Sequence, residues 1–149
     1  TLIDPGQQLS SFSGEELLAL MDGAAVYVVN DYEWSLTQSR TEQAEDALVR
    51  RAGTVVVTLG EKGSRIYRGS ERIDIPPVRA ERVVDPTGCG DAYRAGLLHG
   101  MRRGLPLEAA GRIGSLLGTL KVEQQGTQGL QLDLEAFRAR YQREFGERI

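Results

Sequence analysis

Short, wholly apolar runs alternate with amphipathic stretches along the first half of the chain. Ala25-Val26-Tyr27-Val28-Val29 and the run from Thr54 to Leu59 contain no charged residue, the pattern of strands covered on both faces. Ser13 followed by Glu16 makes a capping box for a helix through Ala24. Helical patterning resumes over residues 31–51, with a break near 39–41, and residues 1–3 read as the end of a strand. Strand, helix, strand, helix, strand at this spacing predicts a parallel α/β sheet. The pattern then changes. Residues 64–68 and 72–75 predict a hairpin around Gly69-Ser70, and residues 82–84 one more strand. Helices follow over 91–102, 107–124 and 133–145, the last two joined by Gly126-Thr127-Gln128-Gly129. There is no internal repeat or linker, so half of a doubly wound fold is expected.

Composition narrows what such a fold can do. At 149 residues and 40% hydrophobic, one compact unit is expected. The net charge of -3 and only two lysines, Lys62 and Lys121, give no basic stripe, which argues against a nucleic-acid partner. No apolar run reaches membrane-spanning length and no signal peptide opens the chain, so a cytoplasmic setting is expected. One cysteine excludes an internal disulfide, and one cysteine with one histidine cannot build a zinc site. Thr1-Leu2-Ile3-Asp4-Pro5 has neither an initiator methionine nor a lead-in, so the chain is expected to be a piece of something longer.

The densest chemistry lies in Asp85-Pro-Thr-Gly-Cys-Gly-Asp91. Gly88 and Gly90 permit a tight bend, and the helix predicted to start near Asp91 contributes unsatisfied N–H groups and the positive end of its dipole. Together these make an anion cradle. Asp91 either caps the helix or stands beside the anion with a chemical purpose. A dinucleotide fingerprint would need a third glycine where Tyr93 stands, and a Walker loop would need a Gly-Lys pair that the chain lacks. If the cradle holds a transferring phosphoryl group, the Asp91 carboxylate can accept the proton of an attacking hydroxyl.

This stretch resembles the D-T-x-G-A-G-D signature of the ribokinase-like (PfkB) carbohydrate and nucleoside kinases, with Pro86 and Cys89 as departures. The resemblance implies that Gly88, Cys89 and Gly90 form the anion hole and that Asp91 is the catalytic base. Cys89 is read as packing within that turn, because no histidine lies nearby in sequence to make it a nucleophile. Asn30-Asp31-Tyr32-Glu33 can be a capping box. It also matches the family's N-x-x-E motif, in which Asn30 approaches the phosphates and Glu33 organises Mg²⁺, largely through water. Thr58-Leu59-Gly60-Glu61-Lys62-Gly63 is a plain turn or the family's T-x-G-x-x-G loop, whose Thr58, Gly60 and Gly63 lie along ATP, with Lys62 a solvated loop charge. Gly126 is a helix C-cap or, by the resemblance, part of the nucleotide loop. With Asp85 and Thr87 it is then also part of a monovalent-cation (K⁺) site. Gly114 and Gly118 either admit the adenine ring or pack tightly against another helix. His99 and Arg94 read as helix-face residues, Arg94 as an ion-pair partner of Asp91 three positions away.

The resemblance covers essentially the whole chain and implies a three-layer α/β fold with a mostly parallel sheet, of which residues 1–149 are the C-terminal, ATP-binding and catalytic half. The N-terminal half and its β-lid are absent from the sequence. The pairing of "NDYEW" with "DPTGCGDAYRAG" is most similar to the bacterial adenosine kinase branch. That implies γ-phosphoryl transfer from ATP to the 5'-hydroxyl of adenosine, with partners in the kinase's own N-terminal half and in a homodimer. Two alternatives stand beside it: a PfkB kinase of ribose, fructose or a related sugar, and an inactive nucleotide-binding fragment.

Overall fold

In the computed structural model, residues 1–126 and 131–149 are described. They divide into two compact units, Thr1–Asp74 and Ile75–Ile149. The first unit opens with β1 (Leu2–Ile3), a 3-10 turn over Gly6–Ser11 and helix α1 (Gly14–Asp22). Strand β2 (Val26–Asn30), α2 (Asp31–Thr41), the short α3 (Glu45–Leu48) and β3 (Val55–Thr58) follow. β4 (Ser64–Arg68) and β5 (Glu71–Ile75) come next, the unit ending at Asp74 within β5. These strands form one sheet in the order β1-β2-β3-β4-β5. β1, β2 and β3 run parallel, and β4 turns back antiparallel on β3.

The two apolar runs become the buried centre of this sheet. Residues 26–29 of β2 and 55–57 of β3 are all buried, because a parallel strand is covered by crossover helices on its faces. Tyr27, Val29, Val55 and Val57 pack with Leu17 and Met21 of α1, Trp34 of α2 and Leu48 of α3 in one core. The expected capping box forms: Ser13 Oγ accepts the Glu16 amide, and Glu16 Oε2 accepts the Ser13 amide at 2.7 Å. The break expected near residues 39–41 within the helical stretch 31–51 falls just after Thr41, leaving two helices. Between them Glu42 takes a left-handed conformation, φ 53°.

The second unit holds α4 (Cys89–Arg102), α5 (Leu107–Val122) and α6 (Leu134–Phe145). Helices α4 and α5 approach closely along a seam of small residues. A methyl at Gly96 would lie 2.8 Å from the Gly114 Cα, and one at Gly100 2.7 Å from the Ala110 Cα. Helix α6 packs Phe137 and Tyr141 with Ile113 and Leu116 of α5.

Residues 82–84 do not form the expected strand. Val83 is 73% exposed, and the amides of Val84 and Asp85 both donate to the Val122 carbonyl, at 2.9 and 3.0 Å. The last carbonyls of a helix have no intrahelical donor. Here the C-terminus of α5 takes the amides that a neighbouring strand would otherwise have taken.

Candidate active site

Two clusters of the motif residues form, one in each unit. In the first, the parallel register sets Asn30 opposite Thr58, and the antiparallel register sets Thr58 opposite Ser64. Asn30 and Thr58 therefore end adjacent strands at the carboxyl edge of the parallel sheet, where open α/β sheets take ligands. Asn30 is also the N-cap of α2. Its Oδ1 accepts the Glu33 amide and its own amide donates to Glu33 Oε2, each at 2.8 Å. The capping box foreseen for this pair forms.

Thr58 Oγ1 donates to the Val29 carbonyl at 3.4 Å. Beyond it Leu59–Gly63 closes into a turn, with Gly60 and Gly63 at positive φ (58° and 90°). The Leu59 amide donates to the Gly63 carbonyl at 2.8 Å. Lys62 is exposed, as expected of a solvated loop charge. Among the described residues no group of three or more His, Cys, Asp or Glu side chains that could hold a metal ion forms. The half-exposed Glu33 fits an outer role through water, since one carboxylate oxygen is already committed to the cap.

The second cluster is the glycine turn. Helix α4 begins at Cys89, two residues earlier than expected, with Gly88 as its N-cap at φ 82°. A left-handed residue at this point needs glycine, and it forms no side-chain cap. Asp91 thereby falls in the first turn of the helix and is not its cap. Its side chain is 81% exposed and pairs with Arg94, the helix-face ion pair that the spacing implied.

The Cys89 amide donates to the Pro86 carbonyl at 3.2 Å, and the Ala92 amide to Gly88. The amides between them, on Gly90 and Asp91, meet no acceptor among the described residues. They sit at the positive end of a fourteen-residue helix, which makes them donors for an anion. Cys89 is a free, half-buried cysteine.

Asp85 braces this turn. Its Oδ1 accepts the Thr87 amide at 2.9 Å and its Oδ2 the Gly126 amide at 3.0 Å. The hydroxyl and amide of Thr87, then the Gly126 amide, hold its carboxyl below the ordinary carboxylate value. Asp85, Thr87 and Gly126 are thus brought together, while Thr127, Gln128 and Gly129 lie outside the described residues.

Gly114 and Gly118 have a packing reason to be glycine. A methyl at Gly114 would stand 2.8 Å from the Tyr93 carbonyl oxygen, and one at Gly118 3.2 Å from that of Cys89. His99 is exposed on α4.

One buried ion pair in this unit had no signal in the local sequence pattern. Arg140 of α6, on a chain segment rich in charge, is buried in a bidentate pair with Glu123 at 2.7 and 2.8 Å. Glu123 Oε1 also accepts the Glu81 amide at 2.7 Å, and Arg140 donates to the Arg79 carbonyl at 3.1 Å. Burial pushes the Glu123 carboxyl up, but the Arg140 hydrogen bonds, the Glu81 amide and the nearby arginine charges outweigh it and leave it lowered. This pair anchors the segment that leads into the glycine turn.

Parallel strands ending in polar loops in one unit, and a glycine turn at a helix N-terminus in the other, are features of an α/β protein. Residues 3–133 match the pfkB family of carbohydrate kinases, and the chain belongs to that family. It is 42% identical to a nucleoside kinase of Burkholderia thailandensis whose structure holds inosine, with a TM-score of 0.95 over 99% of this chain and 50% of that one. It is 38% identical to a nucleoside kinase of Methanocaldococcus jannaschii over 84% of this chain and 41% of the relative. An adenosine kinase from Sinorhizobium meliloti superposes with a TM-score of 0.77 at 29% identity, over 88% of this chain and 42% of the other. The chain spans half or less of the length of these relatives. Among the described residues, no helix is long and apolar enough to cross a membrane.

Proposed function

We propose that this chain is the ATP-binding and catalytic half of a nucleoside kinase, acting with an N-terminal half that completes the acceptor pocket. The observation that carries the reading is Asp91: an exposed carboxylate beside uncommitted amides, at a helix start that it does not cap. Simple anion binding gains nothing from a negative charge there, whereas phosphoryl transfer needs a proton acceptor.

In this reading the acceptor's 5'-hydroxyl oxygen attacks the γ-phosphorus of ATP. The new O–P bond forms as the bond from the γ-phosphorus to the bridging oxygen breaks, its electron pair leaving with ADP. The hydroxyl proton passes to the Asp91 carboxylate. The amides of Gly90 and Asp91 stabilise charge on the transferring oxygens. Asn30, Thr58, Gly60 and Gly63 line the nucleotide, and Gly114, Gly118 and Gly126 stay assigned to its adenine side. Glu33 would hold Mg²⁺ through water, and the ion would supply neutralisation of the phosphate charge. K⁺ is assigned beside Asp85, Thr87 and Gly126, a cytoplasmic setting supplies the ATP, and a homodimer is the proposed assembly.

Adenosine is the proposed acceptor, supported by the similarity to the Sinorhizobium enzyme. Inosine is the second reading, favoured by the more similar Burkholderia protein, whose structures hold inosine and ADP with inosine. The test is an assay of the full-length protein with ATP, Mg²⁺ and a panel of adenosine, inosine, ribose and fructose, beside Asp91→Asn. Loss of the base is expected to lower turnover roughly 10²–10⁴-fold while ATP binding persists. Normal turnover by Asp91→Asn would remove the base assignment. Phosphorylation of a hexose alone would replace the nucleoside with a sugar.

A further inference from the structure

The side chain that holds Asp91 belongs to the same helix. Residues three apart on a helix are neighbours, and long helical side chains lean back toward the N-terminus. Arg94 follows both rules. Its Nη2 pairs with Asp91 Oδ1. The same guanidinium folds over Gly90, where a methyl group would stand 3.4 Å from Nη1 and 3.9 Å from both Cζ and Nη2. The arginine thus passes Gly90 at ordinary van der Waals distance on its way to the carboxylate.

The pair is asymmetric. The Arg94 side chain is 31% exposed and that of Asp91 81%, so the cation is the tethered member and the carboxylate the presented one. Only Oδ1 is engaged by the arginine. Oδ2 has no partner among the described residues. A general base needs this arrangement: one oxygen fixed so that the group cannot rotate, the other open to take a proton.

We propose that Arg94 is a positioning residue for the phosphoryl-transfer base, orienting the Asp91 carboxylate through Oδ1 so that Oδ2 faces the acceptor hydroxyl. The inference rests on the reading of Asp91 as that base. It differs from an ordinary exposed helix pair, which adds little to stability and would have no bearing on turnover.

The test is a double-mutant cycle in the full-length protein, with kcat, the KM for ATP and the melting temperature measured for Arg94→Gln, Asp91→Asn and the pair. Arg94→Gln is expected to lower kcat about tenfold with the KM for ATP within about twofold of the parent. In the Asp91→Asn background the same change is expected to cost less than about twofold, because a residue acting only through the carboxylate has nothing left to orient. Arg94→Lys, which keeps a cation within reach of Oδ1, is expected to recover most of the loss.

An Arg94→Gln variant with parental kcat overturns the inference, as does an equal loss in both backgrounds. Should the glutamine variant fold poorly, Arg94→Met, which keeps the apolar stem, takes its place in the cycle. A slow Asp91→Asn beside a fast Arg94→Gln removes this inference and leaves the base in place. A fast Asp91→Asn removes both.

Discussion

At the scale of single residues, one side chain often has both a structural and a chemical reason to be where it is. Asn30 and Ser13 both cap helices with reciprocal boxes, yet only Asn30 ends a parallel strand at the carboxyl edge of the sheet. Replacing either by alanine is expected to cost about 1 kcal/mol of stability. Ser13→Ala is expected to leave ATP affinity unchanged, while Asn30→Ala lowers it as well. Chemical denaturation beside nucleotide titration separates the two effects, and equal ATP affinities would reduce Asn30 to a cap. The capping boxes were legible in the sequence because they depend on a spacing of three within one segment. The partner of Arg140 was not. Glu123 lies just past the end of α5, and no local pattern indicates that two charges will be buried together.

At the scale of elements, the joint between α4 and α5 is set by backbone contact. With the Tyr93 carbonyl 2.8 Å from the position of a Gly114 methyl, neither backbone can yield without parting the helices. Gly114→Ala is expected to destabilise the protein by about 1–3 kcal/mol, read as a lower denaturation midpoint. A neutral Gly114→Ala would show that the seam relaxes.

The Glu123–Arg140 pair, joining the end of α5 to α6, gives a pH dependence of known sign. Its folded carboxyl titrates below the ordinary value, so its stabilising contribution is present above the unfolded carboxylate value of about 4.3. That contribution is lost as pH falls through the lower folded value. Glu123→Gln is expected to be less stable at neutral pH and to lose less on acidification below about pH 4. Melting curves across that range check it. Most elements followed from periodicity, since β2, β3 and the helices obey their own repeats. The strand expected over residues 82–84 failed because strand formation depends on which neighbour supplies hydrogen bonds, and here a helix end supplied them.

At the scale of the whole molecule, the proposed half-site reading assigns part of the acceptor pocket to residues outside this chain. The chain covers 50% of the Burkholderia kinase and 41% of the Methanocaldococcus one. The isolated 149-residue chain is accordingly expected to show almost no turnover with any nucleoside, and full activity to return when it is joined to its N-terminal half. Turnover by the isolated chain at the full-length rate would refute the half-site reading. Local sequence was enough to determine the parallel α/β pattern, the capped helix starts and the order of the three motifs, because each is written in short-range spacing and apolar periodicity. Tertiary structure alone decided the rest. It set Asn30 beside Thr58 through strand register, and it moved the start of α4 back to Cys89, so that Asp91 faces outward instead of capping. It also tied Asp85 to Gly126. These outcomes depend on where separate segments of backbone meet, which spacing along one chain does not specify.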